Sequence, residues 1–128
     1  MIVLDTHAWI WWTAAPARLS AKARAAVESA KEISVAAISC WELAMLVAHG
    51  RLSFDRDVLT WVRQALAARR IALAPLTPEI AIAAAVMPKG FHGDPADRLI
   101  VATAQTLKAT LITKDQRIRR AKAVGTVW

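Results

Sequence analysis

Five short runs of apolar residues recur along the chain, at residues 2–5, 33–38, 71–74, 110–113 and 126–128. None of them alternates strictly between apolar and polar side chains. Continuous apolar runs of this length are typical of strands that are covered on both faces of a sheet. The pattern therefore predicts five buried strands.

Helical patterns lie between these runs. An apolar stripe follows Ser20 at helical spacing, and a later alanine-rich helix is expected to end at Pro88. Residues that can cap or begin helices are, in chain order, Ser20, Ser53 or Asp55, Thr77-Pro78 and Asp94-Pro95. Strands that alternate with helices predict an α/β fold, with a central, mostly parallel sheet of about five strands flanked by helices.

The length of 128 residues and the absence of repeats or linkers predict a single domain over residues 1–128. Loops are expected at residues 49–53 and 88–93. No stretch is long and apolar enough for a membrane helix, and the N-terminus has no signal-peptide pattern. The protein is therefore expected to be soluble and cytoplasmic. Cys40 is the only cysteine, which excludes an internal disulfide and a cysteine-based zinc site.

Four acidic residues follow apolar runs or open the next helix: Asp5, Glu42, Asp97 and Asp115. Helices that follow parallel strands all begin at one edge of the sheet, so these carboxylates are expected to converge on one cleft. Mutual repulsion makes such a cluster costly unless cations or shared protons offset it. Oxygen ligands without a Cys or His cluster favour Mg²⁺ or Mn²⁺ over zinc.

Helix capping is the alternative explanation for each acid. Ser39 and Glu42 fit a capping box, and Asp94 can cap the helix that carries Asp97 in its first turn. Asp5 and Asp115 can each cap the helix that follows. If Ser39 and Asp94 supply two of the caps, Glu42 and Asp97 are free to face the cleft.

The remaining surface is basic, because seventeen Lys and Arg outnumber ten Asp and Glu. A polyanion such as RNA or an acidic protein partner would suit this charge. A basic cluster beside Asp115 is either a solvated helix face or a phosphate contact: Lys114, Arg117, Arg119, Arg120 and Lys122. Arg98 is expected to pair with an acid or to contact RNA.

Tryptophan is unusually abundant, with six Trp in a chain that has no Tyr. Trp41 and Trp61 are expected in the core or at an interface, although an exposed Trp can also stack on RNA bases. Trp11 and Trp12 are adjacent and cannot both face one core from a helix. One of them is expected at a contact with a partner or a second copy of the chain.

Four segments carry a resemblance to a known family. These segments resemble, in order, the successive motifs of PIN-domain ribonucleases: Met1-Ile-Val-Leu-Asp5-Thr-His, Ser39-Cys-Trp-Glu42, Asp94-Pro-Ala-Asp97-Arg98-Leu-Ile and Leu111-Ile-Thr-Lys-Asp115. The likeness is greatest to the VapC-type toxins of toxin–antitoxin pairs. It covers nearly the whole chain, and the Asp94–Ala104 run is its most specific part.

The resemblance implies a Rossmann-like PIN domain that cleaves RNA with Mg²⁺ or Mn²⁺ and is neutralised by a cognate antitoxin. It implies a homodimer as well. The four acids match the catalytic and metal-binding acids of the family, Asp94 and Thr113 match accessory positions, and Arg98, Lys114 and Arg117 are the expected RNA contacts. Either Glu42 or Asp97 is expected to orient the attacking water.

Two other functions compete with this interpretation. A phosphotransfer domain of the haloacid dehalogenase type also has an Asp after its first strand, but it needs a second acid two residues later, where this chain has His7. The other alternative is a non-catalytic RNA-binding or protein-interaction domain that keeps its acids only as helix caps.

Overall fold

The computed structural model describes residues 1–88, 90–91 and 93–128. Lys89 and His92, in the predicted loop at 88–93, lie outside the described residues. The strands are β1 (Ile2–Leu4), β2 (Ile33–Ala36), β3 (Ile71–Ala74), β4 (Thr110–Ile112) and β5 (Thr126–Val127). The helices are α1 (Thr6–Ala14), α2 (Ala21–Ser29), α3 (Ala37–Ala48), α4 (Val58–Leu66), α5 (Pro78–Ala85), α6 (Pro95–Thr106) and α7 (Gln116–Ala121), with a 3₁₀ turn at Pro16–Arg18. All five predicted strands are present, but the predicted burial is wrong for β3, an edge strand in which Ala72 and Leu73 are exposed.

The strands form one parallel sheet in the order β3-β2-β1-β4-β5, which confirms the predicted α/β class. Leu4 at the end of β1 pairs with Val35 of β2 and with Ile112 of β4. The strand order reverses between β1 and β4. In open parallel sheets this reversal leaves a crevice at the carboxyl ends of the strands, where ligands bind.

Helices cover both faces of the sheet. In β1, Ile2 and Leu4 pack into a core with Trp9 of α1 and Leu43 of α3, whereas Val3 packs on the opposite face against α6. Side chains alternate between the two faces of a strand, so a strand buried on both faces is apolar at every position. This explains the continuous apolar runs in the sequence.

Helix α6 is the most deeply buried helix and carries Asp97 in its first turn. It packs against β1, β2 and β4 on one side and against α5 on the other. Ala102 of α6 contacts Ile80 and Ala84 of α5 in a small third cluster. The small side chains of Ala84 and Ala102 let the two helices approach closely.

Several helix boundaries test the capping predictions. The side chains of Ser20, Thr77 and Asp94 accept hydrogen bonds from backbone N–H groups at the starts of α2, α5 and α6, as predicted. The prediction that Ser53 or Asp55 begins α4 is wrong. Asp57 is the cap, and its carboxylate accepts from both the N–H and the hydroxyl of Thr60. Helix α5 ends at Ala85, short of Pro88.

The predicted capping box at Ser39 is also wrong. Strand β2 ends at Ala36 and α3 begins at Ala37, two residues earlier than the apolar run suggests, with no side-chain cap. Ser39 therefore lies within the first turn of the helix, and Glu42 lies in the second turn. Among the described residues, no helix has the length and apolarity needed to cross a bilayer.

Candidate active site

A cleft of about 430 Å³ opens at the carboxyl edge of the sheet, beside the reversal of strand order. All four predicted acids line it, so the predicted convergence is confirmed. The lining residues are Asp5, His7, Ala8, Trp11, Glu42, Asp94, Asp97, Lys114, Asp115 and Arg117.

Asp5 lies directly after β1 and is held from two sides. Its Oδ1 accepts from the backbone N–H of Thr6 at 2.8 Å, and its Oδ2 accepts from the hydroxyl of Thr113 at 2.6 Å. Burial raises the pKa of the Asp5 carboxyl above its usual value, although the hydrogen bond from Thr113 and the N–H of Thr6 oppose this shift. The nearby Asp115 carboxylate raises the pKa further.

Glu42 projects into the cleft from the second turn of α3. Its Oε1 accepts from the hydroxyl of Thr6 at 2.5 Å, and the same hydroxyl hydrogen-bonds with that of Ser39 at 2.9 Å. Burial raises the pKa of Glu42 to about 7, and the carboxylates of Asp5, Asp97 and Asp94 add to the rise while the Thr6 hydroxyl opposes it. Ionisation of Glu42 beside the other carboxylates is therefore costly unless a cation offsets the charge.

Thr6 is a buried site residue that the sequence analysis missed. Its backbone N–H binds Asp5 and its hydroxyl binds Glu42, so it links the acids that follow β1 and β2. The only sequence signal is its position directly after Asp5 at the start of a helix. A lone Thr at a helix start has many ordinary explanations.

Asp97 and Asp115 face a common cation. The guanidinium of Arg117 lies 3.9 Å from Asp97 Oδ2 and 3.7 Å from Asp115 Oδ2. Asp97 is buried, whereas Arg117 is largely exposed, so this contact is weak and readily exchanged. Asp115 also caps α7 by accepting from the N–H groups of Arg117 and Ile118, as predicted.

The two predicted accessory residues have distinct places. Thr113 is fully buried, donates to Asp5, and accepts from the N–H of Asp115 at 3.1 Å, so one hydroxyl connects two of the acids. Asp94 is exposed at the rim of the cleft. Its Oδ1 caps α6 by accepting from the N–H groups of Ala96 and Asp97.

The predicted RNA contacts separate into two groups. Lys114 and Arg117 line the cleft, and Lys114 Nζ lies 5.7 Å from the ring centre of Trp11. Arg98 has a structural role instead. Its guanidinium donates to the carbonyl of Ala84 at 3.1 Å and lies 6.0 Å from the ring centre of Phe91, away from the cleft. Among the residues that the structure describes, Arg98 forms no ion pair with an acid, and its contact with RNA stays a prediction.

The tryptophan residues differ in their burial. Trp61 is buried and packs against Trp9 and Phe54, as predicted. Trp41 is 56% exposed, so it is not in the core, and the interface role and the contact with RNA bases stay predictions. Trp11 is partly buried between Trp128 and the guanidinium of Arg18, and it forms a wall of the cleft.

The donor set fits a hard divalent cation. The four acids offer carboxylate oxygens, which are the ligands that hard divalent cations prefer. The pKa values of Asp5 and Glu42 are raised, and a bound cation would stabilise the charged form of both carboxyls. In the conformation described for residues 1–88, 90–91 and 93–128, no three His, Cys, Asp or Glu side chains are close enough to hold one ion. The oxygens are turned instead toward hydroxyl, N–H and guanidinium groups.

Comparison with known proteins agrees with this geometry. The PIN domain family model matches residues 2–124, which is nearly the whole chain. The chain belongs to the PIN-domain family. This PIN domain is 44% identical over 129 residues to Ribonuclease VapC22 of Mycobacterium tuberculosis (strain ATCC 25618 / H37Rv), with 99% of this chain and 98% of the relative covered. It is therefore of the VapC type, and the haloacid dehalogenase alternative is wrong.

Solved structures share the PIN fold. VapBC2 from Rickettsia felis bound to a DNA fragment from its promoter matches with a TM-score of 0.67 and 16% identity, covering 98% of this chain and 97% of that chain. A toxin–antitoxin complex from Klebsiella pneumoniae matches with a TM-score of 0.67 and 17% identity, covering 97% of this chain and 95% of that chain. At these identities the likeness shows that the fold is the same.

Proposed function

We propose that this PIN domain is a ribonuclease toxin that hydrolyses RNA phosphodiester bonds with Mg²⁺ or Mn²⁺. The observation that carries the proposal is the convergence of Asp5, Glu42, Asp97 and Asp115 on one cleft. The identity to Ribonuclease VapC22 over the whole chain supports RNA as the substrate. The basic residues Lys114 and Arg117 at the rim suit a polyanion.

The four acids would hold the metal. A bound divalent ion neutralises phosphate charge and lowers the pKa of a bound water. The hydroxyls of Thr6 and Thr113 orient Glu42 and Asp5 toward the cleft. These hydroxyls therefore take the part that outer hydrogen-bond partners play in metal sites, where they fix the ligands and tune their basicity.

The protein side of the reaction is positioning and proton transfer. Lys114 and Arg117 attract the RNA phosphate to the rim, where Arg117 can exchange its weak carboxylate contacts for a phosphate. Glu42 and Asp97 both line the cleft, and either can orient the attacking water and accept its proton. Water then attacks phosphorus in line, and one bridging P–O bond breaks.

An antitoxin and a second copy of the chain are the proposed protein partners. The similar fold from Klebsiella pneumoniae is described as a toxin–antitoxin complex, which supports an antitoxin here. A homodimer is supported by apolar side chains left on the surface of α5 and just after it, where Ile82 is 64% and Val86 is 73% exposed. A concentration-independent monomer in sedimentation equilibrium would refute the dimer.

The deciding experiment compares RNA cleavage by the wild type and by Asp97→Asn in Mg²⁺, in Mn²⁺ and in EDTA. We expect cleavage by the wild type with either ion, none in EDTA, and a loss of roughly 100-fold or more in the variant, because metal-based stabilisation of the transition state is worth several kcal/mol. Titration calorimetry of the ions provides a readout that does not depend on cleavage.

Asp57→Asn is the matched control. Asp57 is an exposed carboxylate that caps α4 outside the cleft, and Asn is an equally good cap, so cleavage should not change. Equal cleavage by the wild type and Asp97→Asn would refute the site. RNA binding without cleavage under every metal condition would favour the non-catalytic alternative.

A further inference from the structure

A second groove, of about 540 Å³, opens beside the acidic cleft. Its apolar lining comes from Ile38, Trp41, Pro95 and Ala96. It shares Glu42 and Asp94 with the cleft, so any group bound in the groove adjoins the group bound at the acids. The volume is within the range of small-ligand sites.

Trp41 is the main apolar surface of this groove. Its side chain is 56% exposed, and among the described residues it joins none of the core clusters and stacks on no other ring. It directly precedes Glu42 in α3, so the helix fixes the position of the indole relative to the catalytic carboxylate. A large aromatic surface held open to solvent at this point is poised to bind a ligand.

We propose that the groove binds one nucleobase of the RNA, next to the phosphate that is cleaved, with the base stacked on Trp41. The proposal rests on the ribonuclease function proposed above. A phosphate placed at the acids carries a nucleoside on each side, and the groove adjoins that position. Aromatic side chains bind bases of single-stranded RNA in this way, by stacking on their faces.

The charge of the groove favours a base over a phosphate. Glu42 and Asp94 line it, and among the residues that the structure describes no Lys or Arg does, so these two carboxylates would repel an anionic group. The cations Lys114 and Arg117 line the cleft but not this groove. An RNA strand that crosses the site would therefore place phosphate at the cationic rim and a neutral base against Trp41.

Asp94 gives the groove a preference among bases. A carboxylate accepts hydrogen bonds and does not donate them. Adenine, cytosine and guanine carry exocyclic amino donors, whereas uracil presents two carbonyl acceptors and a single ring N–H. We therefore expect uracil to be the least favoured base at this position.

The test uses an RNA oligonucleotide that the wild type cleaves at a mapped bond. Each nucleotide flanking that bond is replaced in turn by an abasic residue. At one flanking position we expect loss of the base to raise KM about 5- to 150-fold, which is the range of base–aromatic stacking. Trp41→Ala should raise KM for the intact RNA by a similar factor, and the abasic change should then cost that variant little more.

Trp41→Phe keeps a stacking surface and should retain most of the wild-type KM. Leu59→Ala is the control for loss of an exposed apolar side chain, because Leu59 is 57% exposed on α4 and does not line the groove. Uracil placed at the sensitive position should raise KM in the wild type. Asp94→Asn, which keeps a helix cap and adds a donor, should reduce that discrimination.

Binding in EDTA separates this inference from the ribonuclease function. Fluorescence anisotropy of a labelled oligonucleotide should show the same 5- to 150-fold loss in Trp41→Ala, whether or not the protein cleaves RNA. Unchanged RNA affinity and unchanged KM in a folded Trp41→Ala variant would overturn the base subsite. Unchanged RNA affinity combined with weaker antitoxin binding or a changed oligomeric state would also overturn it, in favour of a protein contact.

Discussion

Replacing Glu42 by Gln should stabilise the metal-free protein at pH 8 and leave its stability unchanged below pH 4.5. In the folded protein the pKa of Glu42 rises from its usual 4.5 to about 7, chiefly through burial. The folded state therefore holds a proton on Glu42 more tightly than the unfolded state does. Between pH 4.5 and 7 the folded state binds more protons, so stability falls as pH rises through this window.

The size of the effect follows from the same two pKa values. Each pH unit between them is worth about 1.4 kcal/mol, which gives a ceiling of roughly 3 kcal/mol for the ionised side chain at pH 8. Glu42 is partly accessible to solvent, and screening reduces this to about 1–2 kcal/mol. Gln removes the charge and keeps an oxygen that can accept from Thr6. For a domain of this size the gain corresponds to roughly 4–8 °C in Tm.

The assay is thermal unfolding followed by circular dichroism, in EDTA, from pH 4 to pH 8.5. The melting temperatures of the wild type and Glu42→Gln should coincide at the acidic end and diverge as pH rises from 4.5 to about 7. Glu28→Gln is the control, because Glu28 is exposed on α2 outside the cleft. A difference that is the same at both ends of the range, or a less stable variant at pH 8, would refute the reasoning.

Two further predictions concern the carboxylate network and its inhibition. Thr113→Val should cost roughly 2 kcal/mol of stability and reduce cleavage, because Asp5 loses a donor and the N–H of Asp115 loses an acceptor. Thr113→Ser keeps the hydroxyl and should restore both stability and cleavage. Chemical denaturation and a cleavage assay measure the two effects. We also expect the antitoxin to place an Arg or Lys near Asp5, Glu42 and Asp97, because paired carboxylates attract bidentate cations. Excess Mg²⁺ should then weaken inhibition by the antitoxin, and Glu42→Gln should lower antitoxin affinity in calorimetry. If neither change affects antitoxin binding, inhibition would occur by steric occlusion alone.

The periodicity of the sequence was sufficient to predict the sheet. The runs at residues 33–38 and 110–113 are mostly apolar, with Ser34, Thr110 and Thr113 as the exceptions, because both faces of the sheet are covered there. The same reasoning predicted that Asp5 and Asp115 would meet at one edge. Neighbouring parallel strands have their carboxyl ends at the same edge of the sheet.

Boundaries were less predictable where two structures suit the same residues. Ala37 and Ile38 continue the apolar run of β2, yet they form the first turn of α3. Nothing local distinguishes the last residues of a buried strand from an apolar first turn, because both bury the same side chains. The shift moves Ser39 from a capping position to a contact with Thr6, and it places Glu42 in the second turn.

Contacts between residues distant in sequence were decided by the tertiary structure alone. Thr113 reaches Asp5 across 108 positions, and Thr6 reaches Glu42 across 36, because β1 lies between β2 and β4 in the sheet. Thr6 carries no chemical signal in the sequence, and Thr113 is indicated only by the family resemblance. Residue type and spacing thus determined the strands and the acids at their ends, whereas the hydroxyls that orient those acids depend on which strands become neighbours. The exposure of Trp41 has the same origin, since its surroundings are set by the packing of α3 against α6.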